Sequence, residues 1–228
     1  MTKFYDYLTE KENLEEEYNN LKKSIEKKCQ PFLKEFKNIS ELIFRGYIPG
    51  ISRPLFQRKP VRKDRKPRFI PTFAHEDLGS FLKKRFGWNA RTEGVFTADD
   101  YKASFFGNDN IFIFIPIGKY EYIWTDGIQR DNLYDLYDLL SLRFKYETKE
   151  SILDNENLNY LYNKNINNIK EIFKNNYLNK GLNNYLKKEN VEFESIFKCD
   201  SFYLIKNKYI MINNVKYGID ELLINDLF

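Results

Sequence analysis

Residues 192–206 read EFESIFKCDSFYLIK, and the fold turns on how this stretch is understood. Two acids, Glu192 and Glu194, stand just ahead of a run of apolar and aromatic residues. In a strand, residues two apart project from one face, so this segment predicts a strand edge that presents both carboxylates together. Like charges at that spacing repel unless a cation, a positively charged substrate or solvent offsets them. The plain reading is a solvated acidic edge, which is common on protein surfaces. The other is a site that needs two acids for two tasks.

Working outward, the most apolar run of the chain, Ile111–Ile117, predicts a central strand. ISELIFRGYIPG (39–50) predicts a short strand with Arg45 at its end. GVFTADDYKASFFG (94–107) gives a short strand and then a helix around Asp99–Phe106. In HEDLGSFLKKRFGW, Leu78, Phe81, Leu82 and Phe86 recur at helical spacing, with Gly87 as the stop. His75 fits a cap or packing residue at the start of that helix better than a base.

Helices are also expected at both flanks of this core. Thr9 and Glu12 make a capping-box pattern ahead of Leu14, Tyr18, Leu21 and Ile25, so a long amphipathic helix is predicted, broken near Pro31. QRDNLYDLYDLLSLRFKY (129–146) is helical in pattern, and the Asn-rich region 155–190 predicts one or two surface helices. Residues 193–223 predict strands joined by Asn- and Lys-containing turns. The expected division is a helical extension over 1–40 and an α+β domain over 41–228.

Composition narrows the function. The 228 residues carry a net charge of +4, too small a surplus to mark a nucleic-acid binder without a local cluster. Cys29 and Cys199 have no CxxC partner and share the chain with a single histidine, so neither a metal site nor a disulfide framework is expected. The N-terminus turns acidic where a signal peptide is apolar, and no apolar run approaches a membrane span. A cytoplasmic protein without a membrane partner is the expectation.

The basic cluster lies in SRPLFQRKPVRKDRKPR (52–68), whose prolines and weak periodicity predict an exposed loop. Arg53–Arg68 could neutralise nucleic-acid phosphates, cover the phosphates of a nucleotide, dock an acidic target, or remain a solvated loop. No aromatic stacking platform interleaves with it. In LIFRG, Arg45 before Gly46 suits a guanidinium gripping a diphosphate while the backbone stays clear, or a surface arginine before a turn glycine.

Taken in order, Phe44-Arg45-Gly46, Phe96-Thr97-Ala98 leading to Ala103-Ser104-Phe105-Phe106-Gly107, and Glu192-Phe193-Glu194 resemble the ADP-ribosyltransferase superfamily of the arginine, serine and glutamate type. In that family an arginine ends the first core strand, a Ser-Thr-Ser strand leads into an A-x-x-F helix, and a [Glu/Gln]-x-Glu motif comes last. The resemblance spans 41–200. It departs from the pattern where Phe96 and Ala98 replace the two serines, leaving Thr97 in the middle position. RFGWNARTEGVF (85–96) further resembles bacteriophage proteins with no assigned activity.

The resemblance implies an α+β, ADP-ribosyltransferase-like split β-sandwich around an NAD cleft, and a mono-ADP-ribosyltransferase acting on a cytoplasmic protein, a phage or bacterial effector in the host cytoplasm. NAD is the implied co-substrate, with no metal. Glu194 would hold the ribose and stabilise the oxocarbenium-like transition state, and Glu192 would orient and deprotonate the acceptor. Arg45 and Gly46 would take the pyrophosphate, with Phe96, Thr97 and Phe106 lining the cofactor pocket. Two rivals stand beside it. One is a glycohydrolase or a transferase with a nucleic-acid target, favoured by the basic loop. The other is a degenerate fold serving as a binding or inhibitory module, favoured by the missing serines.

Overall fold

The computed structural model describes residues 2–46, 55–63, 72–107, 110–126, 155–212 and 215–228. The helical pattern of 129–146 and parts of the basic segment lie outside them. The chain opens with α1 (Thr2–Lys28) and α2 (Gln30–Glu35). They are separate helices because Pro31, in the first turn of α2, has no N–H to continue the ladder of α1. The first helix already runs at Thr2, so Thr9 and Glu12 stand inside it and do not cap it.

Strand β1 (Phe44–Gly46) follows, then β2 (Phe56–Pro60), α3 (Thr72–Phe86), the short α4 (Ala90–Glu93), β3 (Val95–Ala98), α5 (Asp100–Gly107) and the long β4 (Ile111–Asp126). Arg45 is the middle residue of β1, not its end. β2 corrects the expected loop: Phe56–Pro60 pairs along Ile205–Ser201 despite its charges. It tolerates Pro60 because it is an edge strand at that point and the proline closes it.

The second half holds α6 (Asn155–Asn176), α7 (Leu182–Tyr185), β5 (Phe193–Lys206), the hairpin β6 (Tyr209–Ile212) and β7 (Val215–Gly218), and α8 (Ile219–Leu227). The segment 219–223, expected as strand, begins α8: Gly218 N–H is accepted by Glu221 Oε2 at 3.2 Å, so the Glu side chain closes the first turn. The Asn-rich region is helical as expected but not confined to the surface, since Tyr162, Tyr177, Leu182 and Leu186 are buried.

The main sheet runs in the order β2-β5-β3-β1-β4, and β4 also pairs with β5, which closes it into a small barrel. All these pairings are antiparallel. Closure needs two long strands that coil, and β4 does so through a register shift between Ile117 and Tyr120, around Gly118 at φ 74°. The fold is therefore mixed α+β built on a small closed barrel.

Helices cover both faces of the sheet. Tyr18, Leu21, Ile25 and Cys29 of the N-terminal helical region, with Phe32 and Phe36, share one buried cluster with Phe114, Phe193, Phe197 and Tyr203 of the strands. Residues 18–39 thus contribute core to the strands that follow. A second cluster joins Ala74, Leu78 and Leu82 of α3, Trp88, Ala90, and Tyr162 and Tyr177 to Ile123 and Ile196. Ile123 and Ile196 are directly paired, as are Tyr122 and Phe197 one residue on, so the two clusters take opposite faces of the β4–β5 ladder.

Candidate functional site

Three neighbouring strands carry the three sequence motifs. β3 lies between β5 and β1, with Ala98 paired to Glu194 on one side and to Phe44 on the other. Glu194 is paired on its other flank with Thr125 of β4. Directly paired residues share a face, so Phe44, Ala98, Glu194 and Thr125 form one row across the sheet. The next row on that face is Phe96, Ile196 and Ile123. Glu194 is half-buried, at the edge of the apolar floor formed by that second row.

Glu192 is exposed and precedes β5, which begins at Phe193. Its carbonyl accepts from the Tyr185 hydroxyl at 3.1 Å. The two acids are therefore unequal: Glu194 is held in the ladder, and Glu192 stands in solvent just outside it. That inequality relieves the like-charge repulsion expected of a shared strand face.

Arg45 pairs with Phe112, so the register turns it to the face opposite the Glu194 row. Its Nη1 donates to the carbonyl of Phe96 at 2.8 Å, and its guanidinium carbon lies 5.9 Å from the Phe202 ring centroid. Gly46 closes β1 opposite Ile111. Arg45 also reaches the surroundings of Cys199, where its charge partly opposes the burial that pushes that thiol up to about 12.

Thr97 is buried on that opposite face, its Oγ1 2.7 Å from Ser195 Oγ and donating to the Ser195 carbonyl at 3.2 Å. The hydroxyl retained from the Ser-Thr-Ser pattern thus ties β3 to β5 from behind the row that holds Glu194. Phe96 lies on the Glu194 face, half-buried. The Phe106 side chain lies outside the described residues.

Sequence reasoning missed the groups that hold this row. Asp99, expected only at the start of a helix, uses both oxygens: Oδ1 accepts from Lys102 N–H at 2.8 Å and Oδ2 from Phe193 N–H at 2.9 Å. One buried carboxylate thereby starts α5 and fixes the entry of β5 beside Glu194. Arg91, inside NARTEG, is buried with its guanidinium carbon 4.8 Å from the Phe96 ring centroid. Gly94 brings it there, since a Cβ at that position would stand 2.2 Å from Ile196 Cγ2. The signal for Arg91 was a lone arginine on a short turn between apolar residues, which a surface arginine shares.

A separate pocket of about 320 Å³ is lined by Glu35, Phe86, Trp88, Tyr120, Glu121, Tyr122, Asn179 and Lys180. Glu35 accepts there from Tyr120 at 2.6 Å and Tyr122 at 2.8 Å. It contains none of the motif residues. Among the described residues no His/Cys/Asp/Glu group of three could hold a metal ion, and no helix is long and apolar enough to cross a membrane.

Comparison with models of protein families, with curated proteins and with solved structures finds no match for this chain.

Proposed function

We propose that the chain is an NAD-dependent mono-ADP-ribosyltransferase that modifies a protein, a phage- or bacterium-encoded effector working in the host cytoplasm, with a split-sandwich NAD cleft elaborated from the barrel. The observation that carries this reading is the adjacency of the three motifs: segments distant in sequence, 44–46, 96–98 and 192–194, lie on consecutive strands and meet in the row Phe44, Ala98, Glu194.

The chemistry follows from the two unequal acids. Nicotinamide leaves with the electron pair of the glycosidic C–N bond, positive charge builds on the ribose ring, and the Glu194 carboxylate on its half-buried face stabilises that charge. The acceptor attacks the anomeric carbon and gives its proton to Glu192, whose exposed position suits a group that must meet a protein side chain.

The test is incubation of the protein with labelled NAD and a cell lysate, following both label on protein and free nicotinamide. Glu194→Gln is expected to lower both by roughly 100-fold or more. Nicotinamide release without label makes the protein a glycohydrolase, and label on nucleic acid makes the basic segment around β2 the substrate-binding surface. No turnover refutes the enzyme.

One observation favours the binding-module reading. The register gives Arg45 and Thr97 the face away from Glu194, and Phe96 and Ala98 bring no hydroxyl to it. Under that reading the biological effect survives Glu194→Gln.

A further inference from the structure

Arg91 is only 5 % exposed, yet its Nε and Nη1 are buried with no hydrogen-bond acceptor among the described residues. Its backbone N–H is satisfied by Asn89 Oδ1 at 3.1 Å, and its guanidinium lies against the Phe96 ring at 4.8 Å from the centroid. A ring face offsets part of the desolvation of a cation but accepts no N–H in the plane of the guanidinium. A buried charge with orphaned donors opposes folding, and an apolar side chain of similar size packs in its place without that opposition. The structure nevertheless builds this arrangement with care: Gly94 is the residue that lets α4 close on Ile196, and Asn89 caps the turn.

The site has a direction. Phe96 is paired with Ile196, one row along the same face from Glu194, which is paired with Ala98. Diagonal neighbours on one face of an antiparallel sheet are within reach of one ligand. A group bound against Glu194 through sugar hydroxyls therefore carries its next substituent towards Phe96 and Arg91. Arg45, the arginine singled out by the sequence, is engaged with the Phe96 carbonyl from the opposite face.

We propose that Arg91 is the cation that receives a phosphoryl oxygen of a diphosphate-bearing nucleotide, its stem and guanidinium held flat by Phe96, while Arg45 positions β3. This rests on the NAD reading for the identity of the nucleotide. Arg91 is then a binding residue, kept at a cost to the unliganded fold.

The test compares wild type, Arg91→Met, Arg91→Lys and Glu194→Gln by thermal unfolding, alone and with ADP-ribose or inorganic pyrophosphate. Met keeps the apolar stem on Phe96 and removes the orphaned donors, so unliganded Arg91→Met is expected to melt at or above the wild-type temperature. Wild type should gain roughly 5 °C with ADP-ribose at about 100-fold its Kd, Glu194→Gln less because it loses a ribose contact, and Arg91→Met almost none. Arg91→Lys, charged but without the planar fork, should gain less than wild type. A lowered melting temperature or failure to fold in Arg91→Met makes the residue structural and overturns the proposal. So does an ADP-ribose gain in that variant equal to wild type, or no gain in wild type. A gain with pyrophosphate that Arg91→Met loses, in a protein that releases no nicotinamide from NAD, leaves the phosphoryl site standing and sinks the transferase instead.

Discussion

Arg45 Nη1 donates to the carbonyl of Phe96 at 2.8 Å, so the side chain of one strand holds the backbone of its neighbour. Among the described residues β1 and β3 share the single pair Phe44 and Ala98, which makes this bond a main tie between them. Arg45→Met is expected to destabilise the protein by about 1.5–3 kcal/mol, the range for a hydrogen bond with a charged partner. Arg45→Lys should lose less, because an ammonium can still donate. Urea unfolding measures both. Equal midpoints for Arg45→Met and wild type would show that the bond contributes nothing.

Asp99 joins two elements through one carboxylate, capping α5 at Lys102 and receiving Phe193 N–H from β5. Asp99→Ala strips a cap and leaves a buried N–H unmet, for an expected loss of about 2–4 kcal/mol. Asp99→Asn keeps one acceptor oxygen and should recover about half of it. Hydrogen exchange at Phe193 distinguishes the two bonds: its amide should exchange faster in the alanine variant.

Leu21 is fully buried in α1 against the barrel strands. Leu21→Ala is expected to cost about 2–5 kcal/mol, as for any core leucine, and deletion of residues 1–40 should leave a chain without a cooperative transition. A truncated 41–228 that unfolds cooperatively would show that the N-terminal helices are an appendage.

The strands and helices with strong periodicity were legible. Ile111–Ile117 announced itself as an apolar run, and its middle, Phe112, Ile113, Phe114 and Ile115, is buried on both faces; Leu78, Leu82 and the break at Pro31 followed from spacing and from a missing N–H. β2 was not legible, because Arg58 and Lys59 carry the signature of a loop and what makes them strand is pairing with Tyr203 and Phe202, far away in sequence. The motif segments could be found by order alone. Which residue of each faces Glu194 could not, since a shift of one position in register exchanges Phe44 for Arg45. Arg91 escaped for the same kind of reason: its burial is set by Gly94 approaching Ile196, a tertiary fact.

Cys29 and Cys199 are both pushed up from 9.0 to about 12, chiefly by burial. Tyr18, Tyr120, Tyr122 and Tyr162 are raised above their ordinary 10.0 by burial and by the carboxylates that they hydrogen-bond, Asp226, Glu35 and Asp77. Each group thus releases its proton in the unfolded chain at a lower pH than in the folded one. The unfolded state binds fewer protons between those values, so stability is fully present below about pH 9 and falls as pH rises from there through 12. Urea midpoints at pH 8 and pH 10.5 should differ accordingly, and Tyr18→Phe should flatten the decline. A midpoint independent of pH over that range would contradict the burial of these groups.

Gly94 has an ordinary extended backbone, so its glycine is required by space and not by φ. A Cβ there would meet Ile196 Cγ2 at 2.2 Å and the Ala90 carbonyl at 2.7 Å. Gly94→Ala must therefore push α4 off the sheet, at an expected 1–3 kcal/mol or about that, by analogy with overpacked cores. Ile196→Ala removes the side-chain half of the obstacle while opening a cavity of its own. In the double variant the cavity accepts the new methyl, so the two losses should sum to more than the measured one, with a coupling of about 1 kcal/mol. Gly87→Ala is the control: nothing lies within 4 Å of its Cβ, and its φ of 84° makes any loss purely conformational, so it should be additive with Ile196→Ala. Additivity in the Gly94 cycle as well would mean that the approach of α4, and with it the seating of Arg91 over Phe96, does not depend on this contact.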